Sequence, residues 1–345
     1  MKRVALAFAA MLVLAIAGLL SVIWYTTVFP GTNHRGPLEP LTPEQASAAG
    51  MLRVDVERLA GDIGNRSIYR PKGLADAAAY VKGRFEALGY EVEEHSFVKR
   101  GTTVPNMQVM IPGQGPRADE IIVVGAHIDT EQITPGADDN ATGVAAVLAL
   151  ADELKTSRLD RTVRLVVWVN EELPTGGTPD MGSWVYAKKC RQRNEKIVVG
   201  ISLESIGYYD EREGTQKYPK PLDALYPTRG DFVAFVGDTA SRSIVAESLR
   251  GFRAAVRFPS EGAALPTSFR DIARSDHWAF WMEGYAGMMV TDTANFRNPH
   301  YHRASDTPDT VNYEKLARVV TGLRGMIEQL ARSEQIKPRT QKVGG

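Results

Sequence analysis

Cysteine is almost missing from this chain of 345 residues, where Cys190 stands alone. An internal disulfide is therefore excluded, and so is any thiolate-rich metal cluster; metal chemistry here has to use His and carboxylate ligands. Net charge is missing as well. Lys and Arg total 41, and so do Asp and Glu. No long-range field draws such a chain to nucleic acid or anionic lipid, and nucleic-acid binding is set aside. No internal repeat is visible. What remains is ordinary for a globular protein, 43% hydrophobic and 24% charged. The length suits one large α/β domain or two small ones.

The first residues stand apart. Lys2 and Arg3 precede an apolar run from Val4 to Trp24, long enough to cross a bilayer, which needs roughly 20 apolar residues. The run ends in Trp24 and Tyr25, types favoured at the membrane interface. The bulky stretch Tyr25-Thr26-Thr27-Val28-Phe29 offers no small-x-small cleavage triplet. Residues 1–30 are therefore expected to form a single-pass signal anchor, with a cytoplasmic N-terminus and the main domain in the extracytoplasmic or periplasmic space. A cleaved signal peptide, leaving a secreted domain, is the alternative. Residues 31–41, with Gly31, Gly36, Pro37 and Pro40, read as a linker. Residues 42–335 are the folded domain, and 336–345 a disordered tail.

Thr42-Pro43-Glu44-Gln45 has the form of a capped helix start. Leu74 to Leu88 predicts a helix stopped by Gly89, and Tyr90 to Val98 alternates like a strand. Apolar strands are expected at 121–124, 163–169, 197–203 and 232–236. Helices are expected at 141–154, 240–249 and from Asn312 into the early 330s. Tyr208 to Gly230 reads as a long surface insertion. Strands with continuous apolar character, alternating with helices, imply a mostly parallel mixed sheet covered on both faces, an α/β fold of three layers, α/β/α. In such sheets ligands bind beyond the carboxyl ends of the strands.

The polar residues collect there. Gly125-Ala126-His127-Ile128-Asp129 and Pro135-Gly136-Ala137-Asp138-Asp139-Asn140 follow one apolar run. Asn170-Glu171-Glu172 ends the next, and Glu204-Ser205 the third. Ser275-Asp276-His277 and Asn298-Pro299-His300-Tyr301-His302 lie further on. Taken singly, each has a bland explanation: a solvated acidic loop, a packed histidine, or an N-cap with acidic first-turn residues. Coincidence tells against those explanations. Of the six histidines, His127, His277, His300 and His302 all fall in these segments, while His34 and His95 read as surface residues.

Together these motifs resemble the co-catalytic dizinc aminopeptidases, metallopeptidase family twenty-eight, the bacterial leucine-aminopeptidase-like enzymes. The resemblance runs from about Leu74 to Leu330, in the family's order. It implies a zinc-exopeptidase-like fold and two zinc ions. His127 and Glu204 would bind one ion, Glu172 and His302 the other, and Asp138 would bridge them beside a cis peptide between Asp138 and Asp139. Glu171 would be the general base, and Asp129 would orient His127. Glu204 departs mildly from the family, many of whose members carry Asp there. Asp276 and His277 are left open between an N-capping, packed pair and a substrate-facing one. His300 is expected in a supporting or surface place, and Phe280, Trp281 and Tyr285 in the core.

Imidazole and carboxylate ligands suit zinc. Three carboxylates offset three of the four charges on two divalent ions, and the surplus acidifies a water molecule, whose pKa can fall to about 7. The expected activity is hydrolysis of N-terminal peptide bonds in peptides with a free N-terminus. Alternatives remain: a glutaminyl cyclase-like transferase on the same scaffold, a carboxypeptidase or non-peptide amidohydrolase, or an inactive receptor-like ectodomain. Side-chain preference would reside in the loops 173–180 and 208–230.

Overall fold

The computed structural model describes residues 2–99 and 102–339. Among these, eight strands form one sheet: β1 (Glu93–Lys99), β2 (Thr102–Ile111), β3 (Glu120–His127), β4 (Thr162–Trp168), β5 (Lys196–Glu204), β6 (Val233–Asp238), β7 (Ser260–Leu265) and β8 (Gly287–Thr291). Their order across the sheet is β1-β2-β4-β3-β5-β8-β6-β7. The central pairs β4/β3, β3/β5 and β5/β8 are parallel, as is β6/β7, while β1/β2, β2/β4 and β6/β8 are antiparallel. The sheet is therefore mixed with a parallel centre, as expected.

The helices are α1 (Lys2–Thr27), α2 (Pro43–Val56), α3 (Pro71–Ala87), α4 (Gly143–Leu154), α5 (Gly182–Gln192), α6 (Arg242–Ala255), α7 (His277–Met282) and α8 (Tyr313–Arg332). Thr42 and Gln45 form the reciprocal capping pair of α2. Strand β3 shows why its run is apolar throughout. Ile122 and Val124 enter the large core with Val147 of α4, Phe252 of α6 and Leu323 of α8. Ile121 and Val123 enter a second core with Trp168, Tyr186 of α5 and Phe280 of α7. Both faces are covered, and the period of two is hidden because both sets are apolar. At Gly200 in β5, a Cβ would stand 2.2 Å from the Phe280 ring; glycine is what allows this close approach. Phe280 and Tyr285 are core residues, as expected.

Several segments differ from the sequence reading. β2, β7, β8 and α5 were not foreseen; β2 carries Pro105 and alternates irregularly, and β7 is made largely of small residues. Regular helix in α4 begins at Gly143, because Asp139 and Asn140 have non-helical backbones. His95 is buried, not on the surface, with its ring 5.8 Å from that of Tyr186. Linker 31–41 lies along the domain through Asn33, Arg35 and Glu39. The disorder expected from residue 336 does not hold for 336–339. Ile336 is buried, and Arg339 donates to the Tyr285 carbonyl, Ser241 and Asp238. The remaining tail, 340–345, falls outside the described residues.

Candidate metal centre

His127 ends β3, Glu204 ends β5, and Glu171 and Glu172 follow β4 after a short turn. Register explains the meeting. His127 is level with Trp168 of β4, and Gly125 with Ser202 of β5, so these side chains emerge at one edge. His127 Nδ1 donates to the Asp129 carbonyl at 3.0 Å. Its Nε2 then presents a lone pair, and facing it are Glu204 Oε2 at 3.2 Å, Asp139 Oδ1 at 3.3 Å and Glu171 Oε2 at 3.9 Å. Nε2 and Asp139 Oδ1 are both buried without a hydrogen bond. Lone pairs gathered on one point repel unless a cation lies between them. His302 Nε2 lies 3.0 Å from Asp139 Oδ2 and 3.5 Å from Glu172 Oε1. Ligand atoms of His127, Asp139 and Glu204 lie within 4.8 Å of one another, as do those of Glu131, Glu172 and His302.

The residue between the two histidines is Asp139, and this corrects the expectation of Asp138. The Asp138 carboxylate turns inward and accepts from the Gly207 amide and from Asn298 Nδ2, both at 2.8 Å. The cis peptide follows the same one-residue shift, lying between Asp139 and Asn140. Gly136 has φ +62, and a Cβ on it would meet the Asp139 carbonyl at 2.3 Å, so the turn that delivers Asp139 requires glycine.

Asp129 acts differently from the role expected of its side chain. The backbone carbonyl holds His127, while the carboxylate, 3.8 Å from that ring, accepts the amides of Glu171 and Glu172 at 3.1 and 3.0 Å. Asp129 thereby ties the His127 strand end to the Glu171-Glu172 turn. Left-handed backbones occur at Asn170 (φ 65), Ser205 (φ 46) and His302 (φ 56). Such conformations cost energy outside glycine and cluster at functional sites.

Burial raises the pKa of Glu171 and Glu172 well above the usual carboxylate range, with like-charged neighbours adding to it. For His127, burial disfavours the proton, but Glu204 and Glu171 outweigh it and push the pKa up. A buried group of carboxylates this dense, with imidazole nitrogens aimed into it, suits divalent cations. Nitrogen and oxygen donors without sulfur fit zinc.

A model of peptidase family M28 matches residues 106–326. The chain belongs to this family. It is 36% identical over 293 residues to the uncharacterized protein YfbL of Escherichia coli, covering 82% of this chain and 88% of the relative. Relatives named as aminopeptidases are spanned over less than half their length, 44% and 47% in two cases. Among solved structures, the zinc aminopeptidase BSAP of Bacillus subtilis superposes with a TM-score of 0.65 at 13% identity, over 85% of this chain and 98% of that one. The glutaminyl cyclase of Fimbriiglobus ruber gives 0.59 at 20% identity, over 86% and 98%. These two share the M28 chain's fold.

Further residues complete this M28 site, and one of them, Arg66, carried no sequence signal. Arg66 is fully buried and donates to the carbonyls of Leu59, Gly64, Ile128, Pro135 and Gly136. It pins the His127 loop to the turn before Asp139. Asn140 donates to the Leu203 carbonyl and accepts the Ser205 amide, tying that turn to the end of β5. Ser275 donates to Glu204 Oε2 at 2.7 Å. The Asp276 side chain caps nothing; burial pushes its carboxyl up to about 7. His277 packs on Trp281 and donates to the Ile272 carbonyl at 2.6 Å. His300 sits at the rim, with Nδ1 near Ser305 Oγ.

Two spaces adjoin the centre. One is a cleft lined by Glu171, Glu172, Leu173, Met181, Trp278 and His302. The other is an apolar cavity lined by Tyr218, Leu222 and Tyr226 of the 208–230 segment together with Leu265 and Ile272. Glu204 and Tyr301 border both.

Proposed function

We propose that the protein is a zinc aminopeptidase that removes N-terminal residues from peptides with a free amino group, working with two zinc ions. The observation that carries this reading is Asp139, whose two carboxylate oxygens lie 3.3 and 3.0 Å from His127 and His302. His127, Glu204 and Asp139 would hold one ion, and His302, Glu172 and Asp139 the other. When bound, zinc supplies Lewis acidity and acidifies water toward a pKa of about 7.

Glu171 faces the same space and is 15% exposed, outside both ligand sets. It takes the proton of the attacking water on a carboxylate oxygen and later gives it to the leaving amine nitrogen. Asp129 fixes the backbone of Glu171, so the base is held in place before substrate arrives. The cleft lining carries Asp139, Glu171, Glu172 and Glu204 against one cation beside His302, Arg274. α1 holds one stretch long and apolar enough to cross a membrane, Leu6–Thr27. We assign it as an anchor with its N-terminus in the cytoplasm.

The test is metal analysis of the full chain in detergent, with three substrates assayed side by side: an aminoacyl nitroanilide, its N-acetylated form, and a peptide beginning with glutamine. Two zinc ions and hydrolysis of the free amine alone are expected. Equal cleavage of the acetylated substrate removes the aminopeptidase assignment. Cyclisation of glutamine without hydrolysis reassigns the protein as a transferase.

A further inference from the structure

The segment between the apolar helix and the catalytic domain is bound along its length. The Arg242 guanidinium lies over the rings of Tyr25 and Phe29, 4.4 and 5.2 Å from their centres, and donates to the carbonyls of Tyr25 and Val28. Phe29 is 9% exposed and belongs to the main core. Its ring sits so close to Gly262 that a Cβ there would be 2.5 Å away. Arg253 donates to the carbonyls of Phe29, Pro30 and Gly31 at 3.2, 2.9 and 3.3 Å. Asn33 accepts the Ser260 amide and donates to Glu261, which also pairs with Arg35. Arg257 and Arg318 hold Glu39.

These contacts have a direction. Tyr25 meets Arg242, which lies beyond the C-terminal end of β6; Phe29 meets Gly262 within β7; Asn33 meets Ser260, the first residue of β7. Register then relates them to the metal centre. Glu204 pairs with Thr291, Thr291 with Ala234, and Ala234 with Glu261. The start of β7 is therefore level with the catalytic edge. Its far end, Leu265 beside Asp238, is level with the place where α1 departs. Four residue steps separate Ala234 from Asp238, about 13 Å at 3.3 Å per residue. Eight separate Glu204 from the opposite end of β5 at Lys196, about 26 Å. The apolar window of α1 is not buried in the domain at all, so the helix projects away from it.

We propose that residues 25–39 form a rigid strap that sets the catalytic domain on the bilayer with its active-site edge turned to the aqueous phase. The enzyme then takes freely soluble peptides and leaves N-termini held at the membrane surface uncut. The inference rests on the aminopeptidase and anchor assignments above. A substrate fixed to lipid has to span the height of the sheet, which takes at least about eight fully extended residues.

The experiment uses the full chain reconstituted in phosphatidylcholine liposomes. Substrates are a soluble peptide and the same peptide attached through its C-terminus to lipid by linkers of about four, eight and sixteen residues. Short tethers should be cut at least tenfold more slowly than the longest, and all tethers equally in detergent. In the double variant Arg242→Ala, Arg253→Ala the difference between short and long tethers should fall at least threefold, with the soluble rate unchanged. Short tethers cut as fast as long ones overturn the proposal, and so does a difference untouched by the double variant. A chain recovered without residues 1–24, or free of membrane, overturns it as well.

If the soluble peptide itself is not cut, the aminopeptidase assignment has failed, and orientation is then measured directly. Fluorophores at Ile133→Cys, on the catalytic edge and 67% exposed, and at Lys196→Cys, 60% exposed, are compared by energy transfer to a lipid acceptor. The Lys196 label should lie nearer the lipid. Equal transfer, or the reverse, overturns the orientation.

Discussion

The carboxylate of Asp306 accepts the backbone amide of Asp139 at 3.1 Å, and with its other oxygen the amide of Asp138 at 2.9 Å. The residue that spans His127 and His302 is thus gripped through its main chain by a carboxylate 167 positions further on. Replacing Asp306 with Ala leaves two buried amides unpaired and lets the Asp139 side chain drift. Removal of such a supporting partner should weaken zinc binding by about 10–100-fold. Competition with a chromophoric chelator measures it, and unaltered affinity would separate Asp306 from the centre.

The two neighbouring aspartates make opposite predictions. Asp139→Ala should lose at least one equivalent of zinc together with turnover. Asp138→Asn keeps an acceptor for one of its two donors and should retain most of the zinc, at a stability cost of about 1–3 kcal/mol from the mismatched hydrogen bond. Elemental analysis of the two purified variants decides between them. Zinc lost from the Asp138 variant and kept in the Asp139 variant would restore the bridging role to Asp138.

Glu171→Gln keeps the shape of the base and removes its proton affinity. Zinc content should be unchanged while kcat falls about 10²–10⁴-fold, the usual range for a general acid–base group. Turnover within a factor of three of the unmodified protein would exclude Glu171 as the base.

Arg66→Met removes the donors shared by five carbonyls. Each buried acceptor left unpaired costs about 1–3 kcal/mol, so a loss of at least about 3 kcal/mol is expected in urea unfolding. Lysine cannot reproduce the planar fork and should rescue little of it.

His277 links stability to acid. Burial lowers its pKa from 6.5 to about 4, so the folded protein holds it neutral where the unfolded chain would protonate it. The folded value lies below the unfolded one. The contribution is therefore complete above about pH 6.5 and is lost as pH falls toward 4, on the order of 3 kcal/mol in all. Urea midpoints at pH 7, 5.5 and 4 should converge between the native protein and His277→Gln as pH drops. A constant gap would show that the imidazole does not titrate in this window.

The sequence was most legible where chemistry and secondary structure share a boundary. His127, Glu171, Glu172 and Glu204 each end an apolar run or follow one closely, and the topology brings all four to one edge. The doublet Asp138-Asp139 was misassigned by one residue, because two adjacent carboxylates look alike in sequence and only the backbone of the turn decides which points outward. Arg66 could not be foreseen: its partners are carbonyls, which every residue has. His95 was assigned to the surface because its strand alternates, yet α5, itself not foreseen, covers that face through Tyr186.

Cys190 lies on α5 inside the second core, 3% exposed, and burial pushes its thiol up to about 12. At neutral pH almost none of it is the reactive thiolate. Alkylating and maleimide reagents will pass it by in the folded state. Newly introduced thiols can therefore be modified selectively without first removing the native one, and chemical trapping of this molecule can begin from its natural sequence.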